Sequence, residues 1–494
     1  MEYKDKAYWQ GLADKVTLES RLFIAGKYQK SHANERFNCI NPATEQILAE
    51  VSRAQDADVN KAVAAARSSF ESGVWADASP AERKAVLLRL ATLIEKHQHE
   101  LALLDTLNTG KPIRHSLNDD VPNAVLAIRW YAEAIDKVYG EVAPTPNNVL
   151  ALITREPVGV VAAIVPWNFP LLLACWKIGS ALATGNSVVL KPSEKAPLSA
   201  IRLGALAKKA GLPDGVLNII PGLGLEAGKS LALHHEVDCL SFTGSTGVGR
   251  RLLEYAGSSN MKRVWIEGGG KSANIVFADC PDLAKAAATC AAAIFYNQGE
   301  VCMAGARLLV EASIKDAFMA EFKKAAANFV PTDPLDPQSI MGPLVDKNHH
   351  ASVCRYINLG VEEGAKLTLD GRDHQGNFMG PTVLEQATPN MRITNEEIFG
   401  PVLVMATFTS DQEALELANN SKYGQSAGVW TANLQRAHRL ARKLKVGAVF
   451  INSYNESDMT VPLGGVKKSG DGRDQSLHAF ERFTELKTTW LTLD

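Results

Sequence analysis

Between residues 158 and 267 the chain alternates short β-branched runs with helix-favouring ones, and this alternation constrains the fold more than any other feature. Residues 160–165 precede a helical run at 171–183, 188–190 precede 199–209, and 216–220 precede 226–233. Residues 239–242 then precede 247–255, and 264–266 close the series at Glu267. Repeated strand–helix units build a parallel sheet with both faces covered. Ligands of such sheets sit beyond the carboxyl ends of the strands. Those ends carry Trp167-Asn168, Lys191, Gly222, Gly244 and Glu267. Residues 157–176 carry no charge and are long enough to span a membrane. Pro166, Asn168 and Pro170 interrupt them, however, so strand, turn and helix is the expected order.

The flanking segments read differently. At 494 residues the chain exceeds one ordinary core, and two or three domains are expected. Residues 21–24 and 38–44 read as short strands of a peripheral β-element, and 56–137 as helices, with starts at Asp56 and Ser79-Pro80. Residues 140–144 and 149–154 read as two strands of an extended arm, and 485–493 as another strand. Exposed strands of this kind pair with something, here a candidate second subunit. A second α/β region follows over 272–470, with strands at 274–277, 307–310, 401–408 and 447–451 and a charge-rich helix at 434–444.

A net charge of −2 gives nucleic acid and anionic membrane nothing to bind, so neither is an expected partner. The polar N-terminus lacks the apolar stretch of a secretory signal. The seven cysteines are odd in number and contain no CxxC pair, which disfavours a disulfide framework or zinc site and suits the reducing cytoplasm. Cys175, Cys239 and Cys290 read as small buried hydrophobes. The histidine pairs at 234–235 and 349–350 are adjacent, not at ligand spacing, so no metal is expected.

Cys302 stands apart. It ends a glycine-punctuated loop between a helical run at 283–294 and a strand at 308–310, where a nucleophile can be presented. Glu267, at the end of an apolar strand before three glycines, is either a strand-end residue without a task or a buried general base. Gly224, in Gly-Leu-Gly (222–224), and Gly244, before Ser245, are turn glycines or the seats of a dinucleotide phosphate. Lys191 and Glu194 form a solvated turn or bind ribose hydroxyls. An acid there repels a 2′-phosphate and favours NAD over NADP.

Six motifs then share one resemblance. Phe-Tyr-Asn-Gln-Gly-Glu-Val-Cys (295–302), Glu-Gly-Gly-Gly-Lys-Ser (267–272) and Pro-Trp-Asn-Phe-Pro (166–170) are three of them. Leu-Lys-Pro-Ser-Glu (190–194), Phe-Thr-Gly-Ser (242–245) and Glu-Glu-Ile-Phe-Gly-Pro (396–401) are the others. In this order they resemble the aldehyde dehydrogenase superfamily over nearly the whole chain. The resemblance implies a Rossmann-like NAD-binding domain (1–138 and 157–267), an α/β catalytic domain (268–470) and a β oligomerisation element (139–156 and 471–494). It implies that Cys302 attacks an aldehyde, that Asn168 and the Cys302 amide form an oxyanion hole, and that Glu267 activates water. Lys191 and Glu194 would hold the adenosine ribose, Trp167, Gly224, Gly244 and Ser245 would contact NAD, and Glu397 and Phe399 would hold its nicotinamide half. The assembly would be a homo-oligomer, dimer or tetramer.

Four positions depart from the family's pattern: Gly268 for leucine, Ala273 for proline, Glu300 for glutamine and Asp474 for glutamate. An inward Glu300 would raise the thiol pKa. The stretch 452–462, with Ser-Gly-Asp-Gly-Arg-Asp (469–474), is similar to the γ-glutamyl-γ-aminobutyraldehyde and guanidinobutyraldehyde dehydrogenases of polyamine and arginine catabolism. Phe169, Trp176, Tyr296 and Tyr454 could then line an aromatic tunnel, and Asp119, Asp120, Glu456 or Asp458 could attract a distal cation. The alternatives are a general or betaine-type aldehyde dehydrogenase, a CoA-acylating enzyme, against which Glu267 argues, and a non-catalytic NAD-binding protein.

Overall fold

The computed structural model describes residues 4–493. The strand–helix series forms a sheet of seven strands. Its five parallel members, in spatial order, are Arg263–Glu267, Cys239–Thr243, Val160–Ile164, Ser187–Lys191 and Leu217–Ile219. The sequence placed each within a residue or two. Leu22–Ile24 and Lys27–Gln29 extend this sheet antiparallel, with Phe23 opposite Ile219. The expectation of a peripheral element is therefore corrected for 21–24: Leu22, Phe23 and Ile24 are all buried, because the apolar triplet closes the sheet edge. Only the hairpin Arg36–Ile40 with Ile47–Ser52 stands apart as its own two-stranded sheet.

Helices cover both faces. Pro80–Lys96 starts where expected, with Ser79 and Glu82 forming a reciprocal capping box. Pro170–Ala183 is buried along almost its whole length, and its burial includes Lys177. The apolar run 157–176 resolves as a strand, a turn and the start of this helix. Among the described residues no helix is long and apolar enough to cross a membrane.

The second region builds another seven-stranded sheet. Its order is Lys366–Leu369, Thr382–Glu385, Val402–Phe408, Arg307–Glu311, Ala273–Val276, Ser426–Trp430 and Ala448–Ile451. All neighbours are parallel except the first pair. The three arm strands pair with one another: Thr484–Thr492 lies antiparallel to Val149–Pro157 along its full length, and Glu141–Ala143 takes the other edge.

Candidate active site

Cys302 owes its position to a strained loop. The helix Leu283–Phe295 is followed by three residues in the left-handed region: Asn297 (φ 49°), Gln298 (φ 57°) and Gly299 (φ 72°). At Gly299 a side chain would meet the Gly400 carbonyl at 2.3 Å, so only glycine fits. Hydrogen bonds hold the other two. Asn297 Nδ2 donates to the carbonyls of Asn168 and Glu300, each at 3.2 Å, and Gln298 Oε1 accepts from Gly342 N at 3.2 Å. Asn168 Nδ2 donates to the Glu300 carbonyl at 2.8 Å. That bond uses one of its two amide hydrogens and leaves the second for an oxyanion.

The loop sets Cys302, half-buried, in the wall of a cavity of about 720 Å³. Burial, reinforced by Glu397 and Glu267, pushes its thiol up to about 12. Glu300 does not face the thiol: its Oε1 accepts from Val345 N at 3.1 Å and lies 3.6 Å from His349 Nε2. The expected route from Glu300 to the thiol is thus replaced by one from Glu397 and Glu267. A backbone turned left-handed at 297–299 sends the next side chain to the opposite side of the loop.

Glu267 ends its strand against a buried group of charges. Its Oε1 lies 3.0 Å from Lys177 Nζ and 3.0 Å from Arg482 Nη1. The same two cations reach Asp474, Lys177 at 2.8 Å and Arg482 at 2.5 Å. Burial and the neighbouring Asp474 charge push Glu267 up to about 8. Asp474 goes the other way: burial works against its charge, yet Lys177 and Arg482 hold it below the usual carboxylate range. Of the two acids, Glu267 is therefore the one that holds a proton more readily.

The cavity reaches the carboxyl ends of the first sheet at Thr243, Gly244 and Ser245, whereas Lys191, Glu194 and Gly224, expected at the cofactor, are not among the residues that line it. Lys191 is buried, with its ammonium on the Pro192 carbonyl (3.0 Å) and Glu194 Oε2 (3.2 Å). Gly224 opens an exposed turn that passes Lys191; a Cβ at Gly228 would lie 3.9 Å from that side chain. Thr243 Oγ1, at the end of its strand, is buried without a hydrogen-bond partner. Gly244 and Ser245 follow it in the cavity wall, and Ser245 caps the helix Thr246–Gly257. A helix start with free backbone N–H groups is suited to phosphate.

Trp167 and Phe399 meet edge to face at 5.4 Å. Phe399 is itself left-handed (φ 58°), and its carbonyl accepts from His349 Nε2 at 2.6 Å. Glu397 Oε1 accepts from Gly270 N at 3.0 Å, an approach open because residue 269 is glycine, where a Cβ would strike the carboxylate at 1.9 Å. Burial raises Glu397 to about 7.

The cavity that holds Cys302 is also lined by Phe169, Trp176, Tyr296, Tyr454, Asp119 and Glu456. Tyr296 donates to Asp119 Oδ2 at 3.2 Å, and burial raises the Asp119 carboxyl. Three expectations change here. Asp458 points to solvent and accepts from Thr460 N and Oγ1, so it does not line the cavity. Asp120 touches the cavity but is buried and ion-paired with Lys111, so its charge is already matched. Tyr454 lends only its ring, because its hydroxyl donates to the Met303 carbonyl at 2.7 Å.

Sequence reasoning missed Lys177, Arg482, Lys195 and His349. Lys177 had a signal, a single charge in an apolar helix. Lys195 had none: it pairs with Asp346 at 2.7 Å and lies over the Trp167 ring at 5.2 Å, joining the two sheets across the cavity. No group of three or more acids, histidines or cysteines among the described residues could hold a metal ion.

A thiol, a buried carboxylate and an amide donor around one end of a dinucleotide groove define a cysteine-dependent oxidoreductase. Comparison with known proteins agrees: the profile of the aldehyde dehydrogenase family matches residues 28–489, and the chain belongs to that family. NAD-linked oxidation of an aldehyde is the activity this membership brings. The chain is 59% identical over 495 residues, all of both chains, to the NADP/NAD-dependent aldehyde dehydrogenase PuuC of Escherichia coli. A solved indole-3-acetaldehyde dehydrogenase with NAD+ is 53% identical and superposes with a TM-score of 0.99, covering 99% of this chain and 100% of that one. The γ-glutamyl-γ-aminobutyraldehyde dehydrogenase of Burkholderia cenocepacia is 52% identical with a TM-score of 0.98 at the same coverage.

Proposed function

We propose that the enzyme oxidises an ω-amino, guanidino or γ-glutamylamino aldehyde to its acid. The observation that carries this reading is Asp119, a carboxylate in the aromatic lining that accepts from a tyrosine hydroxyl and has Lys111 and Arg114 only as more distant charges. A substrate ammonium or guanidinium arriving there gains a charge partner and aromatic faces together. Relatives named for γ-glutamyl-γ-aminobutyraldehyde support it.

The Cys302 sulfur bonds to the aldehyde carbon as its proton passes to solvent water, and the oxyanion rests on the free hydrogen of Asn168 Nδ2. NAD, when bound, supplies the acceptor for the hydride that departs from this carbon. Lys191 and Glu194 would hold its adenosine end, Ser245 and Trp167 its middle, and Glu397 and Phe399 its reactive end. The remaining thioester is attacked by water, whose proton Glu267 accepts. The C–S bond then breaks, and the acid leaves with the thiol restored.

The reading is tested by NADH formation with 4-aminobutanal, its γ-glutamyl form, 4-guanidinobutanal, betaine aldehyde, butanal and hexanal. A kcat/KM preference for the nitrogen-bearing members supports it, and equal turnover of plain aldehydes removes it. A second reading, indole-3-acetaldehyde, is favoured by the aromatic lining and by the relative of that name, and belongs in the same panel. We place the enzyme in the cytoplasm, as a homo-oligomer joined through its arm.

A further inference from the structure

Glu267 is held by two cations, and the steps above use neither. Lys177 and Arg482 both bind the same oxygen, Oε1, and both also bind Asp474. All four side chains are buried. They differ in what they can fix. An ammonium is a single point on a flexible stem, whereas a guanidinium is a planar fork with donors in set directions. Arg482 places one nitrogen on each acid, Nη1 on Glu267 and Nη2 on Asp474, and so fixes the separation of the two carboxylates. Its own backbone is anchored between the helix His478–Glu481 and the strand Thr484–Thr492, with its carbonyl accepting from Cys239 Sγ at 3.6 Å.

We propose that Arg482 is a positioning residue for thioester hydrolysis, whose guanidinium, set between Glu267 and Asp474, favours the ionised form of the Glu267 base. The proposal rests on Glu267 being the base, as argued above. The charge count gives the direction. With Arg482 present, two cations face two carboxylates. Without it, Lys177 alone faces both, and one acid must take up a proton. The groups around Glu267 are Lys177 from the helix Pro170–Ala183, Asp474 and Arg482 from the C-terminal segment, and Cys302 across the cavity. The Tyr131 hydroxyl, from the helix Val121–Ala134, accepts from Gln475 N and adds no charge. None of these replaces the lost cation. The base would then act only at higher pH, while formation of the thioester, which does not use it, would proceed.

The experiment compares the full-length wild type with Arg482→Met, Arg482→Lys and Glu267→Gln. It reads the pre-steady-state burst of NADH and the pH dependence of steady-state kcat, with a melting curve for each variant. Arg482→Met is expected to keep the burst and to move the acid limb of kcat upward by about one pH unit or more. Arg482→Lys, which keeps the charge but cannot bridge both acids in fixed geometry, moves it less. A folded Arg482→Met whose limb stays at the wild-type pH overturns the proposal; if that variant does not fold, an unmoved limb in Arg482→Lys does so. Glu267→Gln separates the two ideas: a burst without turnover upholds the base, whereas normal turnover removes the base itself and Arg482 loses its object.

Discussion

Their surroundings favour the protonated forms of Cys302 and Glu267, whereas the proposed reaction draws on the ionised ones. For the thiol this follows from burial beside two acids. Its modification by iodoacetamide in the cofactor-free enzyme should therefore climb steadily with pH and show no plateau by pH 9, where a free cysteine, with a pKa of about 8.5, is mostly thiolate. A plateau near neutrality would mean that a cation reaches the sulfur. Glu267 gives the complementary profile. It must be ionised to accept a proton from water, so hydrolysis-limited kcat should rise through about pH 8. In the proposed reading Asp119 governs selectivity and not chemistry. Asp119→Asn should cost roughly tenfold or more in kcat/KM for 4-aminobutanal, the worth of one charge-assisted hydrogen bond, and leave hexanal nearly unchanged. Glu194→Ser should raise kcat/KM for NADP relative to NAD, because it removes the carboxylate that repels a 2′-phosphate while Lys191 remains.

The helix Pro170–Ala183 shows what one charge does inside an apolar element. Lys177→Met would leave Glu267 and Asp474 facing Arg482 alone, and breaking a buried pair in this way costs about 3–5 kcal/mol. A lower melting temperature, with the loss reduced when Asp474→Asn is added, is the expected signature. This element also marks how far the sequence could be read. Its ends were legible because Pro166 and Pro170 punctuate the chain and apolar residues recur at helical spacing. The same periodicity located six of the seven strands of the first sheet and four of the seven of the second, missing Lys27–Gln29, Lys366–Leu369, Thr382–Glu385 and Ser426–Trp430. Cys302, Asn168 and Glu267 were legible because each sits where a strand or helix gives way to a loop, in a recognisable motif. The partners of Glu267 were not: Arg482 lies far along the chain, in a short mixed run, His-Ala-Phe-Glu-Arg-Phe (478–483), whose pattern does not say which charge turns inward. Neighbourhood in sequence also misled at Asp458, since a loop's local order does not say which side chain turns inward.

Across the whole molecule, the arm is the part most visibly left without a partner. Along Thr484–Thr492 every residue after the first is exposed, and Leu486 and Trp490 show 62% and 60% of their surface to solvent. Contiguous apolar surface of this kind marks an interaction site. Trp490→Asp should shift the protein to a smaller species in sedimentation, with its melting temperature becoming dependent on concentration. The catalytic cavity has a property of its own at this scale. Exposed Ser245 and exposed Glu456 both line it, together with Cys302. If the cofactor enters past Ser245 and the aldehyde past Glu456, neither has to wait for the other to clear the way. An amine lodged against Asp119 would compete with the aldehyde, yet the concentration of NAD that half-saturates the enzyme would stay the same.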